Sequence, residues 1–561
     1  MTRISYFRQD FPKFRKISKG HHRIHNFIYL AGIGHYQRSQ NHLTMPIRME
    51  KDSPQNQGNR PGGQRGGQNS LIRWLPIILL FVFKKPKISI PILAVLAIWY
   101  FFLGGQEMLG GFSSEPGIDN SAFSLGASLS QERFDQAKVF EPLVYGFGGR
   151  NQLPPSVSLE RFAPPRLHQG QQGSCVGWAS AYAARSILQA RASGQNPANV
   201  TFSPSYLYNQ IHLQGCQGAY MLDAMKSMAS NGALPFNEFP YDESSCARDP
   251  SGNQISRARQ FNIKGYNRLT LGASNYKPDV MAIKQNLAQG APVVIGMMVG
   301  GTFMSRMVGQ RVWYPSQRDY SMGGYGGHAM CVIGYNDNLE GGAFQIMNSW
   351  GDRWGDDGIA WVRYRDFEHF TKEAYGLFPM GSTEPGTSQK FEVEFGLADM
   401  ASQSTIALQK TSDIVFRTIN PISKNDKFKV LFANSEECYV YIFGQETDGS
   451  SYVLFPYTEK HSPYCGITGT RLFPKDYSMT PDDIGNRDYI AIVVSKTPID
   501  FNDFNNRLTR SRQSTYAGKL REVLGNDRIS NVSFNAGKTV AFSADGGGKN
   551  KVGMVIEIDK N

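Results

Sequence analysis

The chain has 561 residues, too many for one hydrophobic core, so two or three domains are expected. With 40% hydrophobic and 19% charged residues it is neither a disordered chain nor a fibrous one. The net charge of +12 does not indicate a nucleic-acid partner, because residues 1–87 hold sixteen Lys or Arg against three acidic residues and everything after them sums to −1.

Residues 1–70 read as a basic, polar, disordered arm. They include His21, His22 and His25, which lack a scaffold for a metal, and a glycine-rich stretch from Glu50 to Ser70. Two apolar runs follow, WLPIILLFVF at 74–83 and ISIPILAVLAIWYFFL at 88–103. The second approaches the length needed to span hydrocarbon, so 71–103 is expected to be a transmembrane anchor. Arg60, Arg65, Arg73, Lys84, Lys85 and Lys87 all precede the stronger run. The positive-inside tendency then keeps the N-terminus cytoplasmic and sends the remainder to the periplasmic or extracellular side. Residues 104–150, rich in Gly, Ser and Pro, are expected to be a flexible spacer.

The texture changes at Leu153. From about Ser174 the sequence has helix character, with Ala179, Ala181, Ala183 and Ala184 as strong helix formers and Trp178, Tyr182 and Ile187 as apolar anchors. Gly170 and Gly173 precede it, which sets Cys175 at the first turn, where unpaired N–H groups favour a thiolate. Taken alone, a cysteine there is explained equally well as a small buried apolar residue. Downstream, GGYGGHAMCVIGY (323–335) brings His328 to the mouth of a buried strand, where an imidazole can exchange protons with a neighbouring thiol. The segment 343–364 reads strand, glycine turn, strand, and Asn348 closes the first strand beside Ser349, Trp350 and Gly351. An amide there can fix the tautomer of a histidine beneath an indole that excludes water.

Together these segments resemble the papain-like cysteine peptidases. The likeness rests on Gln169-Gly170 six residues before the nucleophile, Gly173-Ser174-Cys175, Gly327-His328-Ala329, Asn348-Ser349-Trp350-Gly351 and Trp354-Gly355…Gly358. Gly215-Cys216-Gln217-Gly218, Asn231-Gly232 and Phe239-Pro240-Tyr241 fill the interval. The resemblance implies an α+β fold for 151–380, with a helical and a β-rich subdomain and the cleft between them. It implies a peptidase in which Cys175 attacks, His328 moves the proton and Asn348 orients it. The backbone N–H of Cys175 and the amide of Gln169 would hold the oxyanion, Trp350 would shield the centre and Gly218 would line the cleft. Peptide or protein substrates are implied, and no metal or cofactor.

The pattern departs from the family at Gln172 and Val176, where a cysteine and an aromatic are usual, and at Ala219, where a glycine is. Without the usual partner, Cys216 could pair with Cys246. Acyl transfer or cell-wall peptide processing on the same fold, and an inactive binding protein, are the alternatives.

A linker is expected at 381–391 and a separate β-rich accessory domain at 392–561, with a hairpin turn at Thr447-Asp448-Gly449 and one helix near 515–525. Cys438 and Cys465 could bridge outside the cytoplasm. This region shows no catalytic constellation, and its expected role is to bind an unknown ligand or protein.

Overall fold

The alanine-rich run behind Cys175 is narrow enough to pass through the middle of a core. It forms one helical rod made of Cys175–Gly177, a π-helical stretch Trp178–Arg185 and Ser186–Ser193. Every residue from Cys175 to Leu188 is buried. The structure, a computed structural model, describes residues 47–52, 123–144, 146–147, 152–271, 277–380 and 390–561.

Three further helices belong to the same half, two of them, Pro204–Ile211 and Met221–Ser230, against the rod. Pro204–Ile211 starts at Ser203, whose hydroxyl accepts from Tyr206 N–H, and Gly252–Ala258 opens with a capping box between Ser251 and Gln254. Met221–Ser230 buries Met221, Leu222, Ala224, Met225 and Met228. Facing them is a sheet in the order Tyr266–Arg268, Thr371–Leu377, Val293–Val299, Gly326–Asn336, Ala343–Met347, Ile359–Arg363 and Val312–Trp313. Its central strands read almost without polar interruption because both faces are covered. One hydrophobic core joins helices and sheet, so the α+β arrangement of 151–380 has two halves with the start of the rod between them.

Residues 390–559 form two further sheets packed face to face. Phe395, Phe432, Val440, Ile492 and Ile556 fill the space between them. Two helices, Phe501–Arg510 and Tyr516–Leu524, cover the outer face of one sheet. The sequence reading expected only the second. The first is dominated by Asn, Asp and Arg and buries just Phe504 and Leu508, with Phe501 partly buried beside them.

Several expectations are corrected. The β-rich half is not a separate accessory domain, because the described residues from Ile47 to Asn561 fall in one compact unit. Lys264 and Glu437, and the rings of Phe378 and Tyr464 at 5.2 Å, tie the two halves together. Most of the expected linker, 381–389, lies outside the described residues. Within the arm, Ile47–Lys51 is a strand paired antiparallel with Tyr477–Pro481. Asp52 beside it accepts from Lys429 at 2.6 Å and Ser478 at 2.6 Å. The spacer contributes ordered structure at 123–144.

The transmembrane anchor, the membrane as a partner and the outer-side placement of the catalytic region are withdrawn. Among the described residues no helix is long and apolar enough to cross a membrane. The stretch 71–103 on which those expectations rested lies outside the described residues, as do His21, His22 and His25.

Cys216 and Cys246 are joined in a disulfide. Cys438 and Cys465 are not: they face one another in register on adjacent strands as free buried thiols.

Candidate active site

The glycine-containing loop before the rod sets Cys175 at its first turn, completely buried. The strand Gly326–Asn336 begins against that turn, and Ala329 N–H lies 3.4 Å from Cys175 Sγ. His328, one residue earlier, is also fully buried, and its ring stacks on Trp350 with centroids 4.4 Å apart. Asn348, at the end of Ala343–Met347, brings its Oδ1 to 2.7 Å from His328 Nε2.

The tautomer follows from a second bond. Ser349 N–H donates to the same Asn348 Oδ1 at 2.8 Å, so that atom is an acceptor and Nε2 of His328 carries the proton. Nδ1 is left as the basic nitrogen, and it has no hydrogen-bond partner among the described residues.

Gln169 is buried and held from three sides. Its Oε1 accepts from Ser349 Oγ at 2.6 Å, its N–H donates to Ser349 O at 2.9 Å, and its own carbonyl accepts from Tyr241 O–H at 2.6 Å. The amide Nε2 therefore points in a fixed direction. It donates at 3.2 Å to the carbonyl of Ser124, which also receives Trp350 Nε1–H at 3.3 Å. Ser349 and Tyr241 were quoted in the sequence motifs without a role. Their service to Gln169 depends on contacts 180 and 72 residues apart in the chain.

Ser124 belongs to a segment that lies along the cleft. Phe123 stacks on Trp350 at 4.6 Å. Gly126 O accepts from Ala219 N–H at 2.9 Å and Ala219 O from Ser128 N–H at 3.0 Å, so the segment runs parallel to the loop bearing Gly218. Gly218 (φ +103) tolerates this approach because a Cβ there would lie 2.4 Å from Gly126 O. Leu129 packs over Gly296 and Met221, and Ser130 N–H donates to Glu373 at 3.0 Å. The only sequence signal for this strap is the small size of Ser124, Gly126, Ala127 and Ser128.

Closure sets the electrostatics. Burial pushes the Cys175 thiol up to about 12, with backbone N–H groups of Ala329, Val176 and Gly126 opposing it. Burial pulls His328 down to about 4, against the bond from Asn348 that raises it. Burial beneath the strap thus works against the charged form of both groups. Desolvation opposes the helix-end field that favours a thiolate at Cys175.

Residues 161–376 match the family model described as papain family cysteine protease. Over those residues the chain is similar to the papain family cysteine proteases. An uncharacterized peptidase C1-like protein of Acanthamoeba polyphaga mimivirus is 28% identical over 207 residues, 36% of this chain and 64% of that protein. Cathepsin K of Mus musculus is 27% identical over 216 residues, 37% of this chain and 59% of that protein. This chain thus spans about three fifths of the length of these curated relatives. Xylellain, a cysteine protease from Xylella fastidiosa, is similar in structure at 23% identity and a TM-score of 0.38, over 47% of this chain and 98% of its own. The papain-family match ends at residue 376, ahead of the β-rich half.

Proposed function

We propose that the chain hydrolyses peptide bonds through Cys175, His328 and Asn348, with Gln169 and the backbone N–H of Cys175 as the oxyanion site. With the strap withdrawn, water re-enters and the penalties on charged Cys175 and His328 fall. Nδ1 of His328 takes the thiol proton and the thiolate attacks the scissile carbonyl carbon. The carbonyl electrons move to the oxygen, which accepts from Gln169 Nε2–H and Cys175 N–H. As the intermediate collapses, the imidazolium gives its proton to the leaving amine and a thioester remains on Cys175. Water, deprotonated by His328, then releases the acid. Asn348 keeps the ring oriented, and Trp350 covers the bond between them.

The observation that carries this reading is the bond from His328 Nε2 to Asn348 beside a thiol 3.4 Å from the neighbouring Ala329 N–H. It leaves Nδ1 as the base at the start of the helix that bears the sulfur. The experiment is peptide hydrolysis by wild type and Cys175→Ala after strap opening, with intact-mass detection of the acyl-enzyme. Turnover and a thioester adduct in wild type, and neither in the variant, are expected. Wild-type turnover by Cys175→Ala overturns the assignment.

A further inference from the structure

The strap does not end at the cleft. After Ser130 it makes the short helix Gln131–Phe134, where Asp135 pairs with Arg268 at 2.8 Å. It then crosses to the β-rich half. Val139–Phe140 lies parallel to His461–Ser462, and Val139 N–H donates to Lys460 O at 3.0 Å. Arg471 Nε–H donates to Glu141 O at 3.2 Å, and Val144 N–H to Thr470 O at 2.7 Å. Leu143 is buried between Ile467 of the β-rich half and Phe378 of the catalytic half, whose Gln285 Nε2–H donates to its carbonyl at 2.8 Å, and Phe147 is buried against Ala398, Leu431 and Leu472 of the β-rich half. Eight residues separate Ser130 from Val139, four of them helical, so little slack lies between the two anchorages.

We infer that the β-rich half is the latch of the closed cleft: its grip on residues 139–147 holds Phe123–Ser130 over Cys175, and loosening that grip opens the site. The latch deepens the proposed peptidase reading and rests on it. It gives the β-rich half a role in controlling access rather than in chemistry. Most of its contacts to the strap are backbone hydrogen bonds and small apolar inserts, which a competing ligand or a cut in the strap can displace piecemeal. Phe147 and Val139 touch none of the reacting groups, so altering them changes access without altering the site.

The test uses the full chain and site-resolved alkylation by iodoacetamide at neutral pH, read by mass spectrometry. Phe147→Ala empties the apolar insert, and Val139→Pro removes the N–H given to Lys460. Each is expected to raise Cys175 alkylation by about tenfold or more over wild type, as loss of an anchorage shifts the closed population toward open. Buried Cys331 in the catalytic half and Cys438 and Cys465 in the β-rich half report unfolding, and they are expected to stay unmodified. If Phe147→Ala exposes those thiols, Val139→Pro, which leaves every core intact, decides. Hydrogen exchange of 139–147 is measured alongside. Faster exchange there with Cys175 alkylation unchanged from wild type overturns the latch. Alkylation reads access and not catalysis, so a variant that opens but does not cut peptides contradicts the peptidase mechanism and leaves the latch standing.

Discussion

His328 Nε2 and Asn348 Oδ1 stand 2.7 Å apart, and the same oxygen accepts Ser349 N–H at 2.8 Å. The pair fixes the ring before substrate arrives. In strap-opened enzyme, His328→Ala is expected to lower kcat by about 10²–10⁴ through loss of the proton carrier. Asn348→Ala removes only orientation and is expected to cost less than that. Steady-state kinetics of both variants check the order, and an equal or larger loss for Asn348→Ala contradicts it.

Gly126 has no room for a side chain. A Cβ would lie 2.0 Å from Gly173 O, which is backbone next to the nucleophile loop. Gly126→Val is therefore expected to keep the strap from seating and to raise peptide hydrolysis by about tenfold or more over the unprocessed chain. Activity equal to wild type would show that the strap does not limit access.

Two buried carboxyls, Glu141 of the strap and Glu373 that receives Ser130 N–H, are displaced in the same direction. Burial pushes Glu141 up to about 7, opposed by Tyr457, Lys475 and Arg471 and reinforced by Asp476. Burial also pushes Glu373 up to about 7, opposed by Ser130 N–H, Tyr375 and Arg268. A raised folded value gives stability that is full below the ordinary value of 4.5 and is lost as pH rises through about 7. Because His328, pulled down to about 4, acts in the opposite sense over part of this window, the comparison is with the variant: the melting temperature of wild type relative to Glu141→Gln is expected to fall between pH 4.5 and 7.5. A difference between wild type and Glu141→Gln that does not change over this interval contradicts the assignment.

Much of the site was legible in the sequence, because Gln169, Cys175, His328 and Asn348 stand inside short runs whose spacing marks them. Ser349 and Tyr241 sit in the same runs, but what they hold became visible only where the chain folds back on Gln169. The strap was least legible. Nothing about Ser124, Gly126 or Ala127 distinguishes a cleft-filling segment from a linker, since its bonds are made by backbone. Helix Phe501–Arg510 was missed because only two of its ten side chains are buried core residues. The surroundings of Cys175 also depend on an element remote in sequence: a helix start favours thiolate, and the cover supplied by the strap opposes it by desolvation.

Lys560 closes the β-rich half. It is buried, with Nζ at 2.6 Å from Asp482, 2.7 Å from Asp488 and 2.7 Å from Ile484 O. Lys560→Met would leave two buried carboxylates without their cation and is expected to destabilise the chain by about 3–5 kcal/mol. Denaturant unfolding reads this, and a change under about 1 kcal/mol contradicts it.

The most direct measurement is covalent labelling of the strap-opened Gly126→Val chain with a peptidyl epoxide, followed by peptide mapping. A single adduct on Cys175, absent after Cys175→Ala and slowed by orders of magnitude after His328→Ala, is the expected result. Labelling elsewhere, or labelling of Cys175 that is indifferent to His328, would contradict a thiol activated by that imidazole.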